Sequence, residues 1–166
     1  MQIRLRRWRE EDGRDFDRFA CHEAIWRYMH ADFPRTPAQC EAAVRALVHV
    51  DPRRMFVRAI EIEGHAAGGI SLCWGKDRTW ADATYWLAER YWNRGVMRTV
   101  LKSVCASAFG AYPELTAVWA RPTAKDRASR AMLERAGFRF VAREQDEQDG
   151  IRTDCFLYVL RREDIL

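Results

Sequence analysis

Three arginines surround a short glycine-containing turn in the middle of the chain. Arg90, Arg94 and Arg98 lie on either side of Gly95, after an aromatic and β-branched stretch and before apolar residues spaced four apart. A strand that leads into a helix through such a turn leaves backbone N–H groups unpaired at the positive end of the helix. Those groups and the arginines together suit the phosphate groups of an anionic cofactor.

Two well-known phosphate-binding turns do not fit this stretch. The P-loop requires G-x-x-x-x-G-K-[ST], and the dinucleotide turn requires G-x-G-x-x-G after an early strand. Neither pattern occurs in the sequence. The turn therefore points to another class of cofactor site.

The turn resembles the coenzyme A signature of the Gcn5-related N-acetyltransferases (GNAT), which is written [QR]-x-x-G-x-[GA]. Gly95 takes the central glycine, Trp92 the first position and Met97 the last. Both flanking positions are more similar to the ribosomal-protein branch of that family (RimJ/RimL type), with its pattern W-G-[KR]-G-[VIY]-[MA]. Asn93 stands where that branch commonly has a glycine.

A second stretch follows at the distance that the family pattern requires. Residues 126–138 read D-R-A-S-R-A-M-L-E-R-A-G-F and resemble N-x-x-S-x-x-x-L-E-[KR]-x-G-F. Ser129 and Gly137 fit directly, and Asp126 replaces the asparagine. With the strand-like segments around both stretches, the resemblance covers nearly the whole chain.

Hydrophobic periodicity predicts a single α+β domain over residues 1–166. The predicted strands are 2–8, 55–62, 65–73, 79–88, 115–120, 138–143 and 153–160, and the predicted helices are 10–21, 37–50, 96–112 and 125–136. The order β-α-α-β-β-β-α-β-α-β-β matches the GNAT layout. We therefore expect a mixed, mostly antiparallel sheet that is flanked by helices.

The resemblance implies that acetyl-CoA is the cofactor. In the family, the strand before the signature splays from the next strand, its edge pairs with the pantetheine arm, and the turn binds the pyrophosphate. The cofactor-binding residues implied in this way are Trp86, Leu87, Ala88, Trp92, Asn93, Arg94, Gly95, Val96, Met97, Arg98, Asp126 and Ser129.

Acetyl transfer from a thioester to an amine requires a neutral amine, a polarised carbonyl and a protonated leaving thiolate. Asp82 is the first choice as base, because A-D-A-T-Y-W resembles the A-E-x-G-Y-W run of the related branch. Its alternative role is a sheet-face carboxylate paired with an arginine. Glu89 is the second choice, and its alternative is a solvated ion pair with Arg90.

Ser129 is the implied acid, because the family tyrosine four residues later is replaced by Leu133. The same serine can instead hydrogen-bond the pantetheine arm or its own helix. An odd number of cysteines without C-x-x-C spacing favours five reduced thiols in a cytoplasmic protein. There is no H-E-x-x-H metal motif and no G-x-S-x-G nucleophile elbow.

The acceptor is expected to be a primary amine, either a protein N-terminus or a small molecule. In the related branch an aromatic loop and the last hairpin flank the acceptor entrance, which implies Trp26, Tyr28, Phe33, Asp82, Asp146 and Glu147 as substrate-binding residues. Glu144 and Asp149 belong to the same acidic run. The alternatives are that the aromatic residues pack on the core and that the acidic run is a solvated hairpin tip.

Composition places further limits on function. A formal net charge of +4 with scattered basic residues does not demand a nucleic-acid surface. No apolar run reaches membrane-spanning length, and the first residues lack the apolar region of a signal peptide. We expect a monomer or a homodimer with no nucleic-acid or membrane partner.

A non-enzymatic function is the alternative from a different class. Asn93, Asp126 and the missing tyrosine depart from the acetyltransferase pattern, which suits a regulatory or interaction domain that binds acyl-CoA without turnover. Release of free thiol from acetyl-CoA in the presence of amines distinguishes the two functions.

Overall fold

The computed structural model of the chain describes residues 1–29, 33, 34, 36–148 and 151–165. Its strands are β1 (Ile3–Arg6), β2 (Met55–Ile62), β3 (His65–Trp74), β4 (Trp80–Leu87), β5 (Ala117–Ala120), β6 (Arg139–Gln148) and β7 (Ile151–Arg161). Its helices are α1 (Gly13–Ala20), α2 (Glu23–Trp26), α3 (Pro37–Val48), α4 (Val96–Ala111) and α5 (Arg127–Arg135). The predicted order is confirmed, with the short helix α2 as an addition.

The strands form a seven-stranded sheet in the order β1-β2-β3-β4-β5-β7-β6. Strands β4 and β5 run parallel, whereas β1–β2, β5–β7 and β6–β7 are antiparallel pairs. The expected mixed, mostly antiparallel α+β fold is therefore confirmed. In the described part of the chain, no helix is long and apolar enough to cross a membrane.

The chain divides into two compact units. The first comprises Met1–Leu72 and Tyr85–Arg94, and the second comprises Cys73–Thr84 and Gly95–Leu166. The assignment of residues 1–166 to one domain stays a prediction.

An aromatic cluster forms much of the core of the first unit. The ring of Trp86 lies 5.0 Å from Phe16 and 6.5 Å from both Trp8 and Phe33, measured between centroids. A Cβ at Gly69 would lie only 2.8 Å from the indole nitrogen of Trp86. Strand β3 therefore needs a glycine at this position, because any larger residue would collide with the indole.

A buried ion pair connects the first strand to its neighbours. The guanidinium of Arg6 donates to both oxygens of Asp12 over 2.7 and 2.8 Å, and it also contacts Glu61 on β2. Asp12 is buried, and it also accepts from the backbone N–H of Arg9 over 2.8 Å. The hydrogen bonds that Arg6 donates to Asp12 raise the pKa of Arg6, so this guanidinium stays charged.

The predicted hairpin of β2 and β3 and the predicted start of α3 are confirmed. Glu63 and Gly64 join the two strands with φ angles of 54° and 84°, as a two-residue hairpin turn requires. The side-chain oxygen of Thr36 accepts from the N–H of Gln39, and the side-chain oxygen of Gln39 accepts from the N–H of Thr36. Pro37 is the first helical residue. Helix α3 ends at Val48, two residues before the predicted end.

The prediction that all five cysteines are reduced is wrong. Cys21 and Cys40 form a disulfide that joins the end of α1 to the first turn of α3. Cys73 is exposed and free, while Cys105 and Cys155 are buried and free. The pair is 19 residues apart in sequence, and only the packing of α1 against α3 brings the sulfur atoms together.

The second unit contains a longer terminal hairpin than the sequence predicts. Residues 144–151 were expected to join the last two strands, yet β6 continues to Gln148 and β7 begins at Ile151. Cross-strand contacts explain the extension: Arg152 donates to Glu147 over 3.0 Å, and Gln145 donates to Asp154 over 3.1 Å.

Candidate active site

The chain between β4 and α4 contains two residues in the left-handed region. A single turn of 3-10 helix (Glu89–Tyr91) follows β4, and then Asn93 and Gly95 have φ angles of 59° and 74°. Asparagine tolerates this conformation better than other residues with a side chain. A Cβ at Gly95 would meet only the guanidinium of Arg98, at 3.8 Å. Gly95 is therefore required by backbone conformation and not by a lack of space.

Helix α4 begins without a side-chain cap. Gly95 is the residue before the helix, and the N–H of Thr99 donates the first intrahelical hydrogen bond to the carbonyl of Gly95 over 3.0 Å. The N–H groups of Val96, Met97 and Arg98 consequently have no partner within the helix. The side chains of Val96 and Met97 are buried, and that of Arg98 is exposed. The start of this 16-residue helix thus offers backbone donors, a positive dipole end and one arginine to an anion.

Some backbone groups at the end of β4 face partners on β3, within the first unit. The N–H of Ala88 donates to Ala67 over 2.8 Å, and the carbonyl of Trp86 also faces β3, because a Cβ at Gly68 would lie 2.7 Å from it. Successive peptide groups of a strand point to opposite edges, so Leu87 faces the other way. The predicted pairing of Trp86, Leu87 and Ala88 with a pantetheine arm stays a prediction.

The carbonyl of Leu87 already has a partner. The indole N–H of Trp92 donates to it over 2.7 Å. The register between β4 and β5 ends at Ala83 and Ala120, so the last residues of β4 extend beyond the paired part.

Asp82 belongs to a cluster of three charged side chains in the second unit. Its carboxylate Oδ1 accepts from the Nη1 of Arg121, and the Nε of Arg121 donates to Glu144 over 3.1 Å. Each side chain is about one-third exposed. Burial raises the pKa of Asp82, Arg121 opposes that change and Glu144 adds to it. The pairing with an arginine agrees with the alternative role given to Asp82 above.

Asp126 and Ser129 lie together at the start of α5. The carboxylate of Asp126 caps the helix by accepting from the N–H of Ser129 over 2.9 Å. Burial raises the pKa of Asp126, and the hydrogen bond from Ser129 opposes that change. Asp126 therefore has a structural function of its own, in addition to the cofactor contact that the resemblance implies.

Glu89, the second choice as base, is exposed in the first unit. It lines a hollow of about 230 Å³ together with Phe19, Ala88 and Arg90. Arg90 lies 3.9 Å from Glu63. Within the described residues, Arg90 thus has Glu63 as an ion-pair partner.

The aromatic residues predicted to bind the acceptor have different environments. Phe33 lies in the aromatic cluster, 6.0 Å from Phe16, which agrees with the core-packing alternative. The guanidinium of Arg27 lies over the ring of Tyr28 at 4.8 Å, and Trp26 is the half-buried last residue of α2. Residues 30–32 of this segment lie outside the described residues.

The acidic side chains of the last hairpin have different environments. Glu147 forms its ion pair with Arg152, and Asp146 is half-buried within β6. Asp149 lies outside the described residues. A hollow of about 430 Å³ on this unit is lined by Ala124, Arg143, Glu144, Gln145, Asp154 and Phe156.

Sequence reasoning did not find Arg121 and did not connect Glu144 to Asp82. The register places Asp82 opposite Trp119, and Arg121 follows two positions later on the same face. On β6, Glu144 lies opposite Cys155. No local pattern encodes this register, so the cluster becomes visible only in the folded sheet.

A family model described as an acetyltransferase (GNAT) domain matches residues 2–139 of the chain. Comparison with curated protein sequences finds no match.

Several solved structures share the fold. One is RimL, a ribosomal L7/L12 alpha-N-protein acetyltransferase in complex with coenzyme A (17% identity, 97% of this chain and 94% of that one, TM-score 0.82). Another is the microcin C7 self-immunity acetyltransferase MccE with acetyl-CoA and AMP (14%, 96% and 92%, TM-score 0.83). A third is AAC(6')-Ib with ribostamycin and coenzyme A (15%, 99% and 96%, TM-score 0.77). At these identities the likeness establishes the fold.

Proposed function

Because the chain belongs to the GNAT acetyltransferase family, we propose that it transfers the acetyl group of acetyl-CoA to a primary amine by direct attack. The observation that carries this proposal is the uncapped start of α4 behind the left-handed Gly95. The occurrence of acetyl-CoA or coenzyme A in three structures of the same fold also supports it.

The pyrophosphate of acetyl-CoA would bind the backbone N–H groups of Val96, Met97 and Arg98. These groups have no partner within α4, and they lie at the positive end of its dipole. The exposed side chains of Arg94 and Arg98 add positive charge beside them. Trp92 and Asn93 would shape the turn, Trp92 through its bond to Leu87 and Asn93 through its positive φ.

The thioester would lie against the free edge of β4. The N–H of Leu87 points away from β3 and would donate to the thioester oxygen as negative charge develops on it. The backbone contact proposed for Trp86, Leu87 and Ala88 would thus be centred on the N–H of Leu87.

In the chemical step the ammonium nitrogen loses two protons and the leaving thiolate gains one. The carboxylate of Asp82 would take a proton from the ammonium through water, and the neutral amine would then attack the carbonyl carbon. As the new C–N bond forms and the C–S bond breaks, the hydroxyl of Ser129 would protonate the leaving thiolate. The second proton that the attacking nitrogen loses would then restore the Ser129 hydroxyl. Glu89 remains the alternative base. Asp126 would hold the first turn of α5, and with it Ser129, through the cap bond.

The acceptor would be a cation at rest. Trp26, Tyr28 and Phe33 would form an apolar wall for it, with Asp146 and Glu147 as acidic residues on the last hairpin. The RimJ/RimL-type turn at Trp92–Met97 and the fold shared with RimL suit a protein N-terminus, whereas the fold shared with AAC(6')-Ib suits a small amine. The cytoplasmic location and the monomeric or homodimeric state stay predictions.

Two departures from the family pattern favour the non-catalytic alternative. Asp126 carries a carboxylate where the family pattern has asparagine, and Leu133 replaces the family tyrosine. An acyl-CoA-binding regulatory domain would tolerate both changes. It would bind acetyl-CoA without releasing thiol when amines are added.

Titration calorimetry with acetyl-CoA tests the cofactor site. Gly95→Glu places a side chain and a negative charge at the start of α4, so we expect a large loss of affinity. Gly110→Glu makes the same change near the other end of this helix, where a Cβ meets nothing within 4 Å, and should bind normally. Unchanged affinity in Gly95→Glu would refute the proposed site.

The role of Ser129 has a separate test. General acids contribute about 10²–10⁴-fold to rate, so Ser129→Ala should lower kcat by that order with a smaller change in acetyl-CoA affinity. Near-normal turnover would restrict Ser129 to a binding role.

A further inference from the structure

Arg121 is shared by two carboxylates on one face of the sheet of the second unit. Its Nη1 donates to the Oδ1 of Asp82, and its Nε donates to the Oε2 of Glu144 over 3.1 Å. Two carboxylates and one guanidinium carry a net charge of −1. The cluster thus has the charge that complements a single ammonium group.

The cluster also has acceptor atoms left for a ligand. The contacts within the described part of the chain use one oxygen each of Asp82 and Glu144, and each side chain remains about one-third exposed. An ammonium group has three N–H donors in rotatable positions. The outer oxygens of the two carboxylates can therefore accept from the same ammonium.

We propose that Arg121 is a positioning residue, which holds the carboxylates of Asp82 and Glu144 side by side so that both bind the ammonium group of the acceptor. This inference rests on the proposed function, and it identifies Glu144 instead of the hairpin tip as the second acidic group of the acceptor site. Glu147 suits that role less well because it is paired with Arg152.

Electrostatics explains why an arginine is needed between the carboxylates. Two partly buried carboxylates on one face repel each other. Burial and Glu144 raise the pKa of Asp82, and Arg121 lowers it. Arg121 thus opposes the effect of burial on Asp82, and its planar guanidinium contacts both carboxylates at once, with a fork geometry that a lysine lacks.

The other titratable groups near the cluster do not change this assignment. Cys155 lies opposite Glu144 on β7, and burial and the carboxylates of Asp146, Glu144 and Asp154 raise its pKa, so the thiol stays neutral. The charges that act on Asp82 are those of Arg121 and Glu144.

The direct test is a carbon-13 NMR titration of the Asp82 carboxyl group, which is assigned by its loss in Asp82→Asn. Arg121→Gln removes the charge that lowers the pKa, so the titration midpoint should move to higher pH. Glu144→Gln removes a charge that raises it, so the midpoint should move to lower pH. Arg139→Gln is the matched control, because it breaks an exposed pair with Asp164 and should leave the midpoint unchanged.

Ligand binding is tested without turnover by adding butylammonium ion. It should shift the Asp82 and Glu144 carboxyl signals in the wild type, with about 10- to 100-fold weaker binding to Arg121→Gln, as expected when charged hydrogen bonds are lost. Arg121→Lys keeps the charge but not the planar contact, so it should restore the midpoint and not the affinity. If Arg121 were purely structural, both Arg121 variants would have lower thermal stability and an unchanged Asp82 midpoint.

The outcomes separate this inference from the proposed function. In one outcome the Asp82 midpoint moves in opposite directions in Arg121→Gln and Glu144→Gln, butylammonium binds, and no amine is acetylated. This outcome would support the ammonium site and refute the acetyltransferase. Acetylated amines with an Asp82 midpoint that is the same in wild type, Arg121→Gln and Glu144→Gln would support the acetyltransferase and overturn the role of Arg121.

Discussion

The indole N–H of Trp92 donates to the carbonyl oxygen of Leu87 over 2.7 Å. This bond ties the turn after β4 back to the last residue of that strand. It gives the Leu87 carbonyl a donor, and under the proposed function the N–H of the same residue would bind the thioester oxygen.

Replacement of Trp92 should loosen this connection. Trp92→Phe keeps an aromatic ring but leaves the Leu87 carbonyl without its donor, so unfolding free energy should fall by about 1 kcal/mol. Urea denaturation measures the change. Trp80→Phe, at a residue that is 38% exposed, is the control and should be nearly neutral. Equal stability of both variants would show that the bond contributes little.

Gly95, just before α4, and Gly110, within α4, should respond in opposite ways to replacement by alanine. Gly95→Ala forces an L-residue to a φ of 74°, which costs about 1–2 kcal/mol. Gly110→Ala lies within the helix and should stabilise the protein by about 0.5 kcal/mol, since alanine favours the helix and has space there. Thermal unfolding of both variants tests this. A Gly95→Ala variant as stable as the wild type would exclude a strained position at Gly95.

The disulfide should make a large contribution to stability. Its cysteines are 19 residues apart, and closing a loop of that order stabilises by about 3 kcal/mol. Reduction should therefore lower the unfolding midpoint in urea, and Cys40→Ser should abolish the effect of reductant. Cys73→Ser, at an exposed free thiol, is the control. Thiol counting in denaturant without reductant should give only the three free cysteines, and five reactive thiols would contradict the pairing.

Asp126 predicts a pH-dependent difference in stability. Because burial raises its folded-state pKa above the usual value of 3.8, the ionised form is disfavoured in the native protein at neutral pH. Asp126→Asn keeps a capping oxygen and removes the charge, so it should be the more stable protein at pH 7. The advantage should shrink as pH falls below the folded-state pKa of Asp126 and the wild type becomes neutral there too.

The control for this prediction is Asp126→Ala, which removes the cap as well as the charge. Loss of an N-cap costs about 1 kcal/mol, so this variant should be less stable than Asp126→Asn at every pH. A difference between wild type and Asp126→Asn that stays constant with pH would contradict a raised pKa.

Sequence patterns predicted the elements whose signals are local. The apolar spacing from Val96 to Ala108 encodes α4, and Glu63-Gly64 encodes the turn between β2 and β3. Each of these features depends on residues within a few positions of one another.

The features that sequence reasoning missed depend on residues far apart in the chain. Cys21 and Cys40 meet through helix packing, and Arg121 reaches Asp82 through the register of two parallel strands. The polar residues after Arg143 were expected to form a loop, and they continue β6 because of cross-strand pairs with β7. The polarity of these residues does not distinguish a loop from an exposed strand, because the strand is stabilised by contacts with residues of the neighbouring strand.

The central claim is tested most directly by incubating the protein with acetyl-CoA and a panel of primary amines that includes peptides with free N-termini and aminoglycosides. Free thiol and acetylated amine are measured together, by thiol reagent and by mass spectrometry. We expect at least one amine to accelerate thiol release, with one acetylated amine formed for each thiol. Tight acetyl-CoA binding with thiol release that no amine accelerates would contradict the acetyltransferase and favour the non-catalytic acyl-CoA-binding domain.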